Sequence, residues 1–285
     1  MTITEKEIQN FWQNSPCDDG QLGGLDQKFN NDYHRFFDAC DDFRNQQEGH
    51  ILRCLDDIDF QGKRVLEIGL GEGSDSEQIV RRGAIWTGLD LTEESVKRVT
   101  KRMEVRGLEY EKIICGSALD IPLPDNSFDI VYSHGVLHHI PNIEQAQSEI
   151  ARILKPGGEL VAMVYARRSL NYLLSICLLR RFGLAALYLL RIRPGGTFSQ
   201  HIDNMRREGF FGYLKMKNFI HRNTDGPNNP YSKVYNIREV EADFSCFGVV
   251  RHHKEFMWAP PIPVNWIPFS HKLGWHLWVH LKARR

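Results

Sequence analysis

Hydrophobic positions change rhythm several times along the chain. Over residues 4–14, Ile8, Phe11 and Trp12 share one helical face. Over residues 46–58, His50, Ile51, Cys54, Leu55 and Ile58 share another. The stretch between, residues 15–25, is rich in Gly, Asp and Pro and predicts a loop.

From Lys63 the runs shorten. KRVLEIG, AIWTGLD, EKIICG, FDIVYSHG and ELVAMVY read as five buried strands. SDSEQIVRRG, TEESVKRVTKRMEVRG and IEQAQSEIARIL, lying among them, read as amphipathic helices. The second opens on a Thr-x-x-Ser capping signal and ends at Gly107, and the third is stopped by a KPGG turn. This alternation predicts an α/β fold, a Rossmann-like doubly wound sheet that gathers the loops after its strands along one edge, where ligands bind. After Tyr165 the rhythm breaks for about seventy residues. It resumes in NIREVEADFSCFG, a helix with an Asn236/Glu239 capping box. VVRHHKEFMWA and WHLWVHLKAR, separated by a proline-rich loop, form a closing strand pair. The expected organisation is an N-terminal helical cap over residues 1–60, a core over 61–165, a helical lid insertion over 166–235, and the rest of the core sheet over 236–285. The sheet then has seven strands, mostly parallel.

Composition narrows the function classes. Lys+Arg and Asp+Glu both number 36, so the net charge is zero and no nucleic-acid partner is expected. The first residues, MTITEKEIQNFW, lack the basic and apolar regions of a secretory signal. Cys17, Cys40, Cys54, Cys115, Cys177 and Cys246 are scattered without a C-x-x-C, which speaks against a zinc site or a disulfide framework. Together these features point to a cytoplasmic protein with no metal. The neutral total conceals an asymmetry. Residues 166–235 hold twelve Lys/Arg and three acids (Asp203, Glu208, Asp225), an excess of nine positive charges that the remainder balances.

The strongest chemical signal is VLEIGLGEGSDSEQIV. A strand runs into Gly69, Gly71 and Gly73, and a helix follows. A dinucleotide turn is spaced G-x-G-x-x-G and presents helix-start amides to a pyrophosphate. Here the spacing is G-x-G-x-G, and Glu67 ends the strand with the wrong sign for phosphate and the right sign for an amine. Asp90 ends the second strand, 19 residues after Gly71, where an acid accepts both hydroxyls of a ribose. These residues describe a nucleoside with a cationic amino-acid tail and no phosphate. S-adenosylmethionine (SAM) is such a molecule.

CGSALDIPLPDNSFDIVYSHGVLHHIPN followed by ILKPGGELV resembles the class I SAM-dependent methyltransferases of the type 11 group, which includes quinone methyltransferases. The resemblance covers roughly residues 60–165, with weaker support near 237–247. It implies that Glu67, Gly69, Gly71 and Gly73 hold the methionine part of SAM, that Asp90 holds the ribose, and that Leu91 packs beside the adenine. Ser117, Ala118 and Leu119 stand where the family places its adenine loop, and Ser117 replaces the usual acid, so that contact weakens or passes to Asp120. Ser133 and His134 open the loop near the sulfonium. The activity implied is in-line methyl transfer to a small-molecule acceptor (a lipid, quinone or secondary metabolite), leaving S-adenosylhomocysteine. His134, His138 and His139 are the candidate general bases. His138 leads because its family position faces the methyl group. The alternative is a methyltransferase-fold subunit that binds without catalysis, and a nicotinamide-dependent oxidoreductase is disfavoured by Glu67.

LNYLLSICLLRRFGLAALYLL, inside the basic segment, is apolar apart from the central Arg180-Arg181. Two arginines at mid-span disfavour a transmembrane helix. Two readings remain: a buried helical hairpin roofing the pocket with the arginines at its bend, or an interfacial helix pair resting on a membrane. The second implies an amphipathic or anionic acceptor. Tyr231 and Tyr235, with Phe11, Trp12, Tyr33, Trp258 and Trp266, are further candidate pocket walls.

Overall fold

The computed structural model describes residues 3–16, 25–264 and 266–284; most of the loop expected over residues 15–25, with Cys17, lies outside them. Strands β1 (Arg64–Ile68), β2 (Ile85–Asp90), β3 (Lys112–Cys115), β4 (Phe128–His134), β5 (Leu154–Tyr165), β6 (Phe247–Glu255) and β7 (His276–Ala283) form one sheet. Its order is β3-β2-β1-β4-β5-β7-β6, with β1 to β5 parallel and β7 antiparallel to both neighbours. The chain reverses its winding direction between β1 and β4. That reversal opens a crevice at the carboxyl ends of those strands.

Successive side chains of each strand enter different cores. Leu66 and Ile68 join Leu89, Val131, Ala146, Ile150 and Phe244 on one face; Val65 joins Trp86, Ile79, Met103 and Tyr132 on the other. Both faces are covered by helices, which is why the strands read as continuous apolar runs. The Lys155–Gly158 tetrapeptide, expected to be a turn, lies within β5 as a bulge. Phe128 pairs with Leu154 and Ile130 with Glu159, so the residues between are looped out of register.

The N-terminal cap contains α1 (Glu5–Asn14), α2 (Leu25–Phe29), α3 (Tyr33–Glu48) and α4 (His50–Asp56). Thr4 and Glu7 close a reciprocal capping box on α1. The single helix expected over residues 46–58 is instead two, α3 and α4, meeting at Gly49. Most of α3 escaped the pattern reading because only Phe36, Phe37 and Cys40 are buried along its 16 residues.

The core helices are α5 (Ser74–Arg81), α6 (Glu93–Arg106) and α7 (Ile143–Ile153). Thr92 caps α6 through Ser95 N–H, and Gly107 ends it in the left-handed conformation. The insert contains α8 (Asn171–Leu189), α9 (Thr197–Glu208), α10 (Phe210–Leu214), α11 (Met216–Phe219) and α12 (His221–Thr224). α13 (Ile237–Asp243) carries the expected Asn236/Glu239 capping box, and α14 (Ser270–Leu273) precedes β7. The insert has its own apolar core of Ile176, Leu184, Ile202, Met205, Tyr213 and Phe219.

The hairpin expected around Arg180-Arg181 does not form. α8 is one continuous helix whose first half, Asn171–Arg180, has wide π-type turns. The expected burial is also overturned, since only 17% of its apolar window is inside the protein. The two guanidiniums are accommodated without a bend because each finds a backbone carbonyl: Arg180 Nη1 donates to Asn223 O at 2.8 Å and Arg181 Nε to Leu214 O at 3.0 Å.

Candidate active site

A cavity of about 340 Å³ occupies the crevice. Its floor is made by Glu67, Gly69 and Gly71 after β1, Asp90 and Leu91 after β2, Ala118 and Leu119 after β3, and His134 and His139 after β4. The cap closes it from above with Ile8, Trp12 and Arg44. Gly69 has φ +81°, and a Cβ there would lie 2.1 Å from a Val136 methyl, so only glycine fits the turn. Gly73, at φ +80°, starts α5 and stands just behind the lining residue Ser74.

The polar end of the cavity is acidic. Glu67 is buried and accepts Trp86 Nε1–H at 2.8 Å. Burial, reinforced by neighbouring Asp75, pushes its carboxyl up to about 8. Asp75 accepts Arg44 Nη2 at 2.8 Å and the Tyr132 hydroxyl at 2.8 Å. Two buried carboxyl groups therefore face the cavity beside Arg44, and a cationic ligand there favours their ionised forms. Asp90 stands further along, its Oδ2 accepting Leu70 N–H at 2.7 Å and its Oδ1 accepting Thr92 N–H and Oγ1–H at 2.8 Å each. Burial pushes Asp90 upward, and these hydrogen bonds oppose it. Asp90 thus has two duties: it fixes the glycine turn and it lines the cavity. Apolar walls from Ile8, Trp12, Leu91, Leu119, Val136 and Ile140 suit a flat ring system. The donor set fits a nucleoside with a cationic tail.

The three histidines occupy different places. His134 lines the cavity, with Nδ1 3.4 Å from Arg44 Nη2 and 3.8 Å from Asp75. Arginine only donates, so Nδ1 is the acceptor and the proton sits on Nε2. Burial, then Arg44, pushes His134 well below the ordinary histidine range. His139 also lines the cavity. Its Nδ1 is 2.8 Å from Tyr231 O, so Nδ1 carries the donated proton, and its Nε2 is 3.4 Å from the Asp225 carboxylate. Asp225 in turn accepts the Tyr165 hydroxyl at 2.6 Å, and the Trp12 ring meets His139 edge-on at 5.1 Å. His138, favoured by the sequence, is not on the cavity. Its ring is fully buried 3.9 Å from Tyr165 and 4.2 Å from His139, and neither ring nitrogen has a partner among the described residues. The short 3₁₀ turn Leu137–His139 rotates adjacent side chains apart, sending one inward and one to the cavity.

Several other expected positions also differ from the cavity wall. Ser133 is buried and donates to Ile68 O at 3.0 Å, stapling β4 to β1. Ser117 turns to Glu5 and accepts Leu119 N–H, leaving Gly116, Ala118 and Leu119 on the wall. Tyr235 is core, bonded to Asp243, while Trp258 and Trp266 are exposed. Arg44 and Asp75 were missed. Asp75 had a signal, an acid in the first turn after the glycines, whereas Arg44 lies in a polar run without any motif.

Comparison with known proteins agrees with this fold. A methyltransferase-domain family model matches residues 66–162. The fatty-acid O-methyltransferase of Mycolicibacterium smegmatis is 39% identical over 102 residues, 35% of this chain and only 36% of that enzyme's length. A ubiquinone biosynthesis O-methyltransferase of Azoarcus sp. (strain BH72) is 31% identical over 175 residues, 60% of this chain and 72% of the relative. The solved SAM-dependent methyltransferase of Mesorhizobium loti superposes with a TM-score of 0.52 at 18% identity, covering 83% of this chain and 97% of that one, a likeness of fold. With the glycine turn, its two strand-end acids and this shared sequence in place, the chain belongs to the class I SAM-dependent methyltransferases.

Proposed function

We propose that the chain methylates an oxygen of a small, amphipathic or anionic acceptor such as a fatty acid, quinol or related lipid. The observation that carries this reading is the cavity's cation-seeking end, where buried Glu67 and Asp75 lie beside Arg44, with Asp90 beyond. Arg44 pairs with the carboxylate of the methionine tail, Glu67 receives its ammonium, Gly69 and Gly71 give it backbone contact, and Asp90 accepts from the ribose. Leu91, Ala118 and Leu119 pack on the adenine. When bound, SAM supplies a methyl whose leaving group is already attached.

The chain's own task is then alignment, exclusion of water and removal of the acceptor's proton. Trp12 and Ile8 of the cap close the cavity. His139, held through Nδ1 by Tyr231 O and backed by Asp225, takes the proton of a phenolic or hydroxyl acceptor; His134 is second, and a carboxylate acceptor needs neither. Relatives named for fatty-acid and ubiquinone O-methylation support oxygen as the nucleophile. The insert, basic and apolar and touching His139 through Tyr231 and Asp225, supports an amphipathic acceptor and work at the periphery of a membrane.

Titration with SAM, S-adenosylhomocysteine and NADPH, followed by mass spectrometry of a lipid extract incubated with enzyme and SAM, tests the reading. Binding of the first two alone, with a lipid gaining one methylene, is expected. Binding of NADPH instead, or a methylated product whose new carbon sits on nitrogen, would overturn it.

A further inference from the structure

Among the described residues, the outer face of the insert has no partner. Phe182 is 65% exposed, Leu189 67%, Leu190 70% and Phe211 81%. These residues belong to one surface. The Tyr188 and Phe210 rings are 5.2 Å apart, Phe210 and Phe211 are 5.2 Å apart, and Arg181 binds Leu214 O, so the second half of α8 lies along α10. Ile192 and Phe198, also exposed, extend it. Single exposed apolar residues are ordinary, but a contiguous group of large ones marks an interaction site.

The charges around this surface are all of one sign. Arg191, Arg193, Lys215 and Lys217 are exposed, and none has a carboxylate within 4.0 Å among the described residues. The three acids of the segment are engaged elsewhere: Asp203 with Arg206, Glu208 with Arg207 and Arg222, and Asp225 with Tyr165 and beside His139. The face is therefore apolar at its centre and basic at its rim.

α8 cannot cross a bilayer from this position. Arg180 and Arg181 tie its middle to Asn223 and Leu214, and Ile176 and Leu184 pack into the insert's core. A second copy of the chain also fits poorly, because two such faces apposed would bring uncompensated cations together.

We propose that this face docks the protein on an anionic lipid bilayer. Phe182, Leu189, Leu190 and Phe211 enter the acyl boundary, and Arg191, Arg193, Lys215 and Lys217 meet anionic headgroups. The inference rests on the amphipathic-acceptor reading above and gives it a route. α8 begins just after β5, whose last residue, Tyr165, binds Asp225 beside His139, so the docked face and the reacting end of the cavity share one continuous segment.

Sedimentation of the full chain with vesicles tests it, using phosphatidylcholine alone and phosphatidylcholine with one quarter phosphatidylglycerol. Wild type is expected to pellet with the anionic vesicles at low salt and to be released at high salt. Leu190→Asp/Phe211→Asp and Arg191→Glu/Arg193→Glu should each weaken vesicle binding by roughly tenfold or more. Both pairs are exposed, so melting curves and SAM affinity should match wild type. The proposal is overturned if wild type stays in the supernatant with anionic vesicles, if both variants pellet like wild type, or if light scattering shows a dimer that Leu190→Asp/Phe211→Asp splits. SAM titration on the same preparation separates the two readings. A chain that binds SAM but not vesicles loses only the docking surface, whereas a chain that binds no SAM loses the methyltransferase reading whatever the vesicles show.

Discussion

The core from β1 to β5 and the insert that follows it meet at one site, yet local sequence governs them differently. In the core, side chains at the helix starts fix the backbone: Thr92 caps α6 and Asn142 caps α7, and glycines set the turns. In the insert, the N-cap residues of α9 to α12 make no side-chain cap hydrogen bond, and α8 has only the Ser169 hydroxyl, which accepts Tyr172 N–H at 3.1 Å. Their shape depends on packing around Ile176, Tyr213 and Phe219 and on arginines reaching distant carbonyls. Local signals specify the core around the crevice, and tertiary packing specifies the insert.

Glycine substitutions should expose this difference most strongly. Gly69→Val places a side chain on the Val136 methyls at a positive φ and is expected to abolish SAM binding, a loss of more than about a hundredfold by calorimetry. Gly183→Ala in the insert, where a Cβ meets nothing within 4 Å, should leave SAM binding unchanged. Equal effects would erase the contrast.

The seam between the two regions gives the next largest effect. His139→Ala should lower turnover about 10²- to 10⁴-fold with SAM affinity nearly intact, because His139 is the residue through which the insert reaches the cavity. Asp225→Asn should lower turnover less. A rise in KM with unchanged kcat in both variants would make them acceptor contacts rather than proton-transfer groups.

The pH effect on cofactor binding should arise in the core. Glu67 is raised to about 8 in the ligand-free fold, so its carboxyl is mostly protonated at neutral pH. SAM affinity should rise between pH 6 and 7.5 as it ionises, with protons released on binding, and Glu67→Gln should flatten that rise. For the ligand-free protein the sign is opposite: the stability that Glu67 contributes is full below pH 4.5 and is lost as pH climbs through about 8. The smallest effect concerns His138. Burial lowers its pKa well below 6.5, so it costs stability as pH falls below 6.5, and His138→Phe should soften that loss of melting temperature.

What the sequence disclosed follows the same divide. The strands, the Thr92 cap of α6, the capping box of α13, and the acids at the ends of β1 and β2 were legible because each is a local pattern with a local cause. Arg44 was not, since it reaches Asp75 across 31 positions from a helix of low apolar content. The placement of His138 off the cavity, with His134 and His139 on it, has a similar origin. Adjacent residues in a 3₁₀ turn differ in direction, and only the walls supplied by Tyr165, Tyr231 and Trp12 decide which one faces the cavity. α8 read as a hairpin because its central arginines suggested a bend, while the carbonyls that satisfy them lie more than thirty residues away.

Calorimetric titration of SAM into wild type and Asp90→Ala tests the central claim most directly. Loss of the carboxylate that lines the cavity and holds the Leu70 and Thr92 amides should weaken SAM by about 2–4 kcal/mol, roughly thirtyfold to a thousandfold, in a variant that still melts cooperatively. An Asp90→Ala protein that binds SAM like wild type would contradict the placement of the cofactor at this crevice.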